Sequence, residues 1–196
     1  GDVFKGQSLI SFAVSAQDWS DIASGDGFAV AIKSDRTLWG WGYNGSGQLG
    51  IGSNASKANQ TQVGTSNEWV KVEAGQEHVL ALRVDGTVWA WGDNNNAQLG
   101  LSTSTGQGVT PVQVATDAKE IACGFLSSFY IQTNGDLYAW GANDSGQLGD
   151  GTRIPKLSPT KIGTLKWVQI ASGRDHSFGI NTQYDNYTWG ANDRLQ

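Results

Sequence analysis

The chain has 196 residues, 38% of them hydrophobic, with a formal net charge of −5. That is enough for one ordinary domain, and the acidic balance argues against a nucleic-acid surface, which would need a basic stripe. No run of 18 apolar residues is present, so no membrane-inserted helix is expected, and the single cysteine, Cys123, leaves no internal disulfide.

In chain order, a short apolar run at Phe12–Val14 comes first. A run from Trp19 to Gly25 follows, then an alternating stretch over Phe28–Lys33, a turn pair at Asp35-Arg36, and an aromatic strand from Thr37 to Trp41. The ten residues beginning at Trp41 read WGYNGSGQLG and end at Gly50. The sequence then repeats itself. Gln62–Val63 precedes Trp69–Gly75, His78–Arg83, Asp85-Gly86, Thr87–Trp91 and the phrase WGDNNNAQLG ending at Gly100. Pro111–Val114 precedes Ala118–Gly124, Phe129–Gln132, Asn134-Gly135, Asp136–Trp140 and WGANDSGQLG ending at Gly149. Thr160–Ile162 precedes Trp167–Gly173, Ser177–Ile180, Tyr184-Asp185, Asn186–Trp189 and the final phrase WGANDRLQ.

Short β-type runs flanking Asp-Gly or Asn-Gly are strong hairpin signals. Four short strands per unit, recurring about every 50 residues, describe an all-β propeller blade. The expected blades are residues 1–50, 51–100, 101–149 and 150–196. One blade cannot bury both of its faces, so Trp41, Trp91, Trp140 and Trp189 are expected in the layers between blades. Gly42, Gly92, Gly141 and Gly190 follow them where each aromatic strand must end. The glycines at 25, 75, 124 and 173 are read as tight hairpin positions needing a positive φ or a close backbone approach. Cys123 shares a small-residue slot with Ser24, Ala74 and Ser172 and reads as a buried, inert thiol.

The phrases Gly75–His78 and Gly173–His176, each Gly-x-x-His, together with Trp-Gly-x-Asn-x-x-Gly-Gln-Leu-Gly, resemble the regulator of chromosome condensation repeat. The first and third units keep the glycine but carry Phe28 and Ser127 in place of the histidine. The resemblance implies seven-bladed propellers of four-stranded blades, so four units imply part of a larger ring whose terminal blades abut further protein. It also raises nucleotide exchange on a small GTPase, though no unit carries the long inserted loop which that activity would need.

Chemistry is sparse. His78 and His176 recur at one repeat position, which favours a structural role, each bonding a backbone group near its hairpin. No Ser-His-Asp arrangement, His-x-x-x-His or cysteine pair is visible, and Asp18 with Asp21, or Glu73 with Glu77, forms no calcium loop or glycosidase pair. The expectation is therefore a non-enzymatic structural or binding module with no catalytic, cofactor-binding or metal residues. The best specific reading is a phage virion appendage, such as a tail or head fibre, or a surface-exposed recognition protein. Its expected partners are further repeats or other subunits, or a cell-surface glycan or protein receptor.

Overall fold

The computed structural model describes residues 18–192, and structural statements refer to those residues; Phe12–Val14 and the end of the last Trp-Gly phrase lie outside them. Fourteen strands and no helix are present among the described residues. The first sheet contains β1 (Trp19–Ser24), β2 (Phe28–Lys33), β3 (Leu38–Gly42) and β4 (Lys57–Gln62) in that order. The second repeats it with β5 (Trp69–Ala74), β6 (His78–Arg83), β7 (Val88–Asp93) and β8 (Gln107–Ala115). The third uses β9 (Ala118–Cys123), β10 (Ser127–Gln132) and β11 (Asp136–Gly141), closed by the first part of β12 (Lys156–Ser172). The rest of β12 opens the fourth sheet and pairs with β13 (His176–Asn181), which pairs with β14 (Asn186–Gly190). All pairings are antiparallel.

The phase of the sheets differs from the sequence reading. The run expected to open the second, third and fourth units closes the sheet before it: Trp39 pairs with Gln62, Trp89 with Gln113, and Tyr138 with Lys161. The first sheet thus spans 19–62 and crosses the 50/51 border. The cause lies in the Trp-Gly phrase. Asn44 accepts from the Leu49 amide at 2.8 Å and donates to the Ser53 and Ala55 carbonyls at 2.7 and 3.1 Å. This clamp folds the loop back, so β4 returns alongside β3. Asn94 and Asn143 do the same in the next two repeats, accepting from Leu99 and Leu148.

Three apolar cores join the four sheets in series. Val30, Ile32, Leu38 and Leu49 of the first sheet pack on Trp69, Val72 and Trp91 of the second. Leu80, Val88 and Leu99 meet Ile121 and Trp140. Phe129, Ile131 and Leu148 meet Trp167 and Ile170, with Trp189 at the margin. None of these cores joins the fourth sheet back to the first, so the described residues form an open arc.

Candidate functional site

The inner strands β1, β5, β9 and the end of β12 finish at Gly25, Gly75, Gly124 and Gly173, side by side. There the backbone ties repeat to repeat: Asp26 N–H donates to Gln76 C=O at 2.8 Å, Gln76 to Phe125 at 3.0 Å, and Phe125 to Gly173 at 3.1 Å. Glycine is required by proximity. A Cβ on Gly75 would lie 2.6 Å from the Gly124 carbonyl, and one on Gly124 would lie 3.0 Å from that of Gly173. The tips enclose a basin of about 520 Å³. Its frame repeats, but the residue after each glycine does not: Asp26, Gln76, Phe125 and Arg174 present four different chemistries to one concavity. Arg174 lies over the Phe125 ring at 4.7 Å. Cys123, on the basin wall, is buried, and burial pushes its thiol well above the ordinary range, which leaves it inert.

The Trp-Gly loops brace the same end of the arc. Ser46 Oγ donates to Glu77 of the next hairpin tip at 2.5 Å. Two more of the carboxylates weighed as acid pairs are engaged: Asp21 accepts the Val72 amide of the next repeat at 2.8 Å, and Glu73 pairs with Lys71, which also pairs with Glu120. No cluster of three or more metal-ligating side chains occurs among the described residues.

The predicted repeat residues do not gather into one site; they are distributed over the seams. Trp91 and Trp140 are wholly buried, while Trp41 and Trp189 are half-buried on the outer repeats. Three of the four indoles reach back one repeat. Trp91 donates to Gln48 C=O at 2.9 Å, Trp140 to Gln98 at 2.9 Å, and Trp189 to Gln147 at 2.8 Å. Gly42, Gly92, Gly141 and Gly190 all have φ near +100° (103, 102, 98 and 106), a region L side chains rarely adopt.

His78 bonds to the following repeat rather than to its own hairpin. It is fully buried, and its Nε2 lies 3.0 Å from Ser128 Oγ of the following repeat. Ser128 donates to Gln98 C=O at 2.7 Å, the carbonyl that also receives Trp140. With the serine proton committed, Nε2 is the donor. Burial lowers its pKa to about 4, against a hydrogen bond to Ser127 backbone that favours the charged form. His176, at the same position in the last repeat, is only half-buried.

Sequence reasoning missed the side chains that make the Trp-Gly phrase work. Asn44, Asn94 and Asn143 are the buried clamps, while Gln48, Gln98 and Gln147 accept the amides of Ser46, Asn96 and Ser145. Their recurrence at fixed offsets from the tryptophan was the available signal. Asn44 and Asn143 also match glycosylation sequons, yet both are wholly buried.

Among solved structures, human WBSCR16 superposes with a TM-score of 0.81 at 24% identity, over 92% of this chain and 50% of that one. Yeast RCC1 (Prp20), in its complex with Kap60, gives 0.80 at 22% identity, over 91% and 45%. Saccharomyces cerevisiae Prp20p, described with its binding properties to Gsp1p and histones, gives 0.79 at 22%, over 90% and 46%. The chain therefore spans about half the length of the structures it resembles, and identity at this level shows the shared propeller fold alone. No curated protein matches it in sequence. The regulator of chromosome condensation (RCC1) repeat matches residues 35–82, 85–131 and 134–180, and a second description of that repeat matches 19–48, 69–98 and 118–147. With matched repeats covering most of its length and the seam tryptophans, glycines and histidine in the geometry just described, the chain belongs to the regulator of chromosome condensation (RCC1) repeat family.

Proposed function

We propose that this chain is a non-enzymatic protein-binding segment that contacts its partner through the hairpin tips. The observation that carries this reading is the basin itself: a frame fixed by four glycines and inter-repeat backbone bonds, filled by Asp26, Gln76, Phe125 and Arg174. Rigid scaffolds with variable tips are a common way to build recognition. Near the tips Glu77 accepts from Ser46, and the buried histidine is neutral and out of reach of solvent. A role as a virion appendage or other surface-exposed recognition protein, with a glycan or protein receptor, is a finer reading supported only by the acidic, Asn/Ser/Gly-rich loops. A second reading, regulation of a small GTPase, draws on the association of Prp20p with Gsp1p, which is a property of that protein.

The test is a double substitution of Phe125→Ser with Arg174→Glu, both at the tips and outside the cores. Cross-linking from a photoreactive residue at position 76 should capture the same partner with the parent chain in every preparation, and the double variant should lose it at unchanged melting temperature. Retention of the partner by the double variant would place recognition elsewhere.

A further inference from the structure

The Trp-Gly loops do not meet the next repeat in the same way at every seam. At the first seam Gly47 has φ 76°, and a Cβ there would lie 3.0 Å from both the Gly108 carbonyl and Val109 of the next repeat. The two repeats touch at that point and leave no room for a side chain. At the second seam the same place in the phrase holds Ala97, which keeps the left-handed backbone at φ 61° and carries the methyl that the first seam excludes. L side chains rarely adopt that conformation, and departures of this kind concentrate at ligand sites. Beside Ala97 lies a cavity of about 320 Å³ between the second and third repeats.

The asparagine clamps set both walls of this cavity. Asn94 donates to the Thr103 and Thr105 carbonyls at 3.2 and 3.4 Å, on either side of Ser104, and Asn143 donates to the Ile154 carbonyl at 3.1 Å, beside Pro155. Ser102 N–H donates to Leu157 C=O at 2.9 Å, which ties one wall to the other. The polar lining includes Asn96, Ser104 and Asp144, of which Ser104 and Asp144 are exposed. The apolar lining is Ala97, Ala142, Pro155 and Leu157, the last 45% exposed. Among the described residues, no aromatic ring and no cationic side chain lines the cavity.

That lining selects a class of ligand. Without an aromatic ring there is no platform for a nucleobase or other flat ring. Without a cation there is no counter-charge for a phosphate, sulfate or carboxylate, each of which Asp144 would repel. The lining suits a neutral molecule that offers hydroxyls, an amide and a small apolar group. A carboxylate accepts from neighbouring hydroxyls, and a carboxamide both donates and accepts. Two alanine methyls, a proline and one leucine form a contact surface for a methyl group rather than for a stacked ring. We propose that this cavity binds a neutral N-acetylhexosamine unit of a glycan. Its acetamido methyl lies against Leu157 and Pro155 over the alanine floor, its amide pairs with Asn96, and its ring hydroxyls bond Asp144 and Ser104. A cavity of this volume is at the small end for ligand sites and takes one such unit. Walls already fixed by the clamps receive it without rearrangement, which lowers the cost of binding. The site shares no residue with the basin and does not rest on the tip reading.

The experiment follows the methyl resonances of the protein by NMR during titration with the methyl β-glycosides of N-acetylglucosamine, N-acetylgalactosamine and glucose, the last lacking the acetamide. At least one acetamido sugar should shift the Ala97, Ala142 and Leu157 methyls saturably and bind roughly tenfold more tightly than the glucoside. Asp144→Asn, an exposed change, should weaken that binding roughly tenfold by removing charge-assisted hydrogen bonds. Ala97→Gly should weaken it at a melting temperature no lower than the parent's, because glycine accepts the left-handed backbone. If Ala97→Gly melts lower, Asp144→Asn alone decides. Acetyl-lysine methylamide probes the other occupant, a basic side chain of a partner protein paired with Asp144. Absence of a saturable shift with both acetamido sugars, equal affinity for the glucoside, binding undiminished by Asp144→Asn, or tighter binding of acetyl-lysine methylamide at the same methyls overturns the proposal. None of these outcomes bears on the tip variants.

Discussion

Protonating His78 requires placing a charge in a seam with no compensating carboxylate, and the stability of the fold should register it. Burial lowers its pKa from 6.5 to about 4. The folded value is the lower one, so the neutral ring's contribution is complete above pH 6.5 and is lost as pH falls toward 4. In that window the unfolded chain binds the proton more readily than the folded one. At about 1.4 kcal/mol per pKa unit, the loss is on the order of 3 kcal/mol. The control is supplied by the protein itself, because the equivalent position in the first repeat is Phe28, buried at 5% exposure. His78→Phe removes the titration and keeps the slot filled, while Ser128 retains its bond to Gln98. Urea unfolding of both proteins from pH 7.5 to 4.5 cancels the carboxylates they share. The stability difference between parent and variant should shift by about 2–3 kcal/mol toward the variant as pH falls. A difference constant to within about 0.5 kcal/mol across that range would show that the ring is not neutral and desolvated as described.

Three further outcomes follow from the same seams. Trp91→Ala should cost about 3–5 kcal/mol, because the ring is fully buried and bonded to Gln48, whereas half-buried Trp41→Ala should cost clearly less; equal losses in thermal melts would contradict the seam assignment. Asn94→Ala should cost about 1–3 kcal/mol by stranding the buried Leu99 amide, and hydrogen exchange of that amide should quicken with it. Asp136, hydrogen-bonded by Lys166 and Lys161, is held at about 2, so its carboxylate should remain ionised through pH 3 by NMR titration. Its contribution to stability is present above pH 3.8 and lost as pH falls toward 2.

The strands and seams were legible in the sequence because the cues are local. Trp91 and Gly92, or Trp140 and Gly141, sit where an aromatic strand must both fill a core and end. The sheet phase was not legible from those cues. Which aromatic strand Gln62 or Lys161 joins depends on how Asn44 or Asn143 folds the intervening loop, and an Asx-rich loop reads in sequence only as a turn. His78 reads in the sequence as a structural residue, and its partner, Ser128, is 50 residues away. Repeat alignment alone would have paired it with its own hairpin. Two cations were hidden for a related reason: Lys33, 3.6 Å from the Trp39 ring centre, and Arg83, 4.0 Å from that of Trp89, look in the sequence like ordinary strand-end charges.

Burial in this fold belongs to the neighbour as much as to the residue. Val72, Ile121 and Ile170 occupy one slot in successive inner strands and are 2%, 0% and 5% exposed, yet Ile22, in the same slot of the first repeat, is 64% exposed. The difference is a preceding sheet, which the described residues supply for the last three and not for Ile22, since each seam is made of the trailing face of one repeat and the leading face of the next. Stability therefore resides in the three seams and scales with the pairs they join. Apart from the Ser46–Glu77 bond and the Arg174–Phe125 contact, the hairpin tips take part in those seams through backbone and through glycine. A side chain at position 26, 76, 125 or 174 can change without altering a core, whereas a change at Gly75 or Trp91 alters one at once. That separation lets a strictly repeated frame carry unrepeated chemistry, and it places the search for a partner at the residues that the repeat does not constrain.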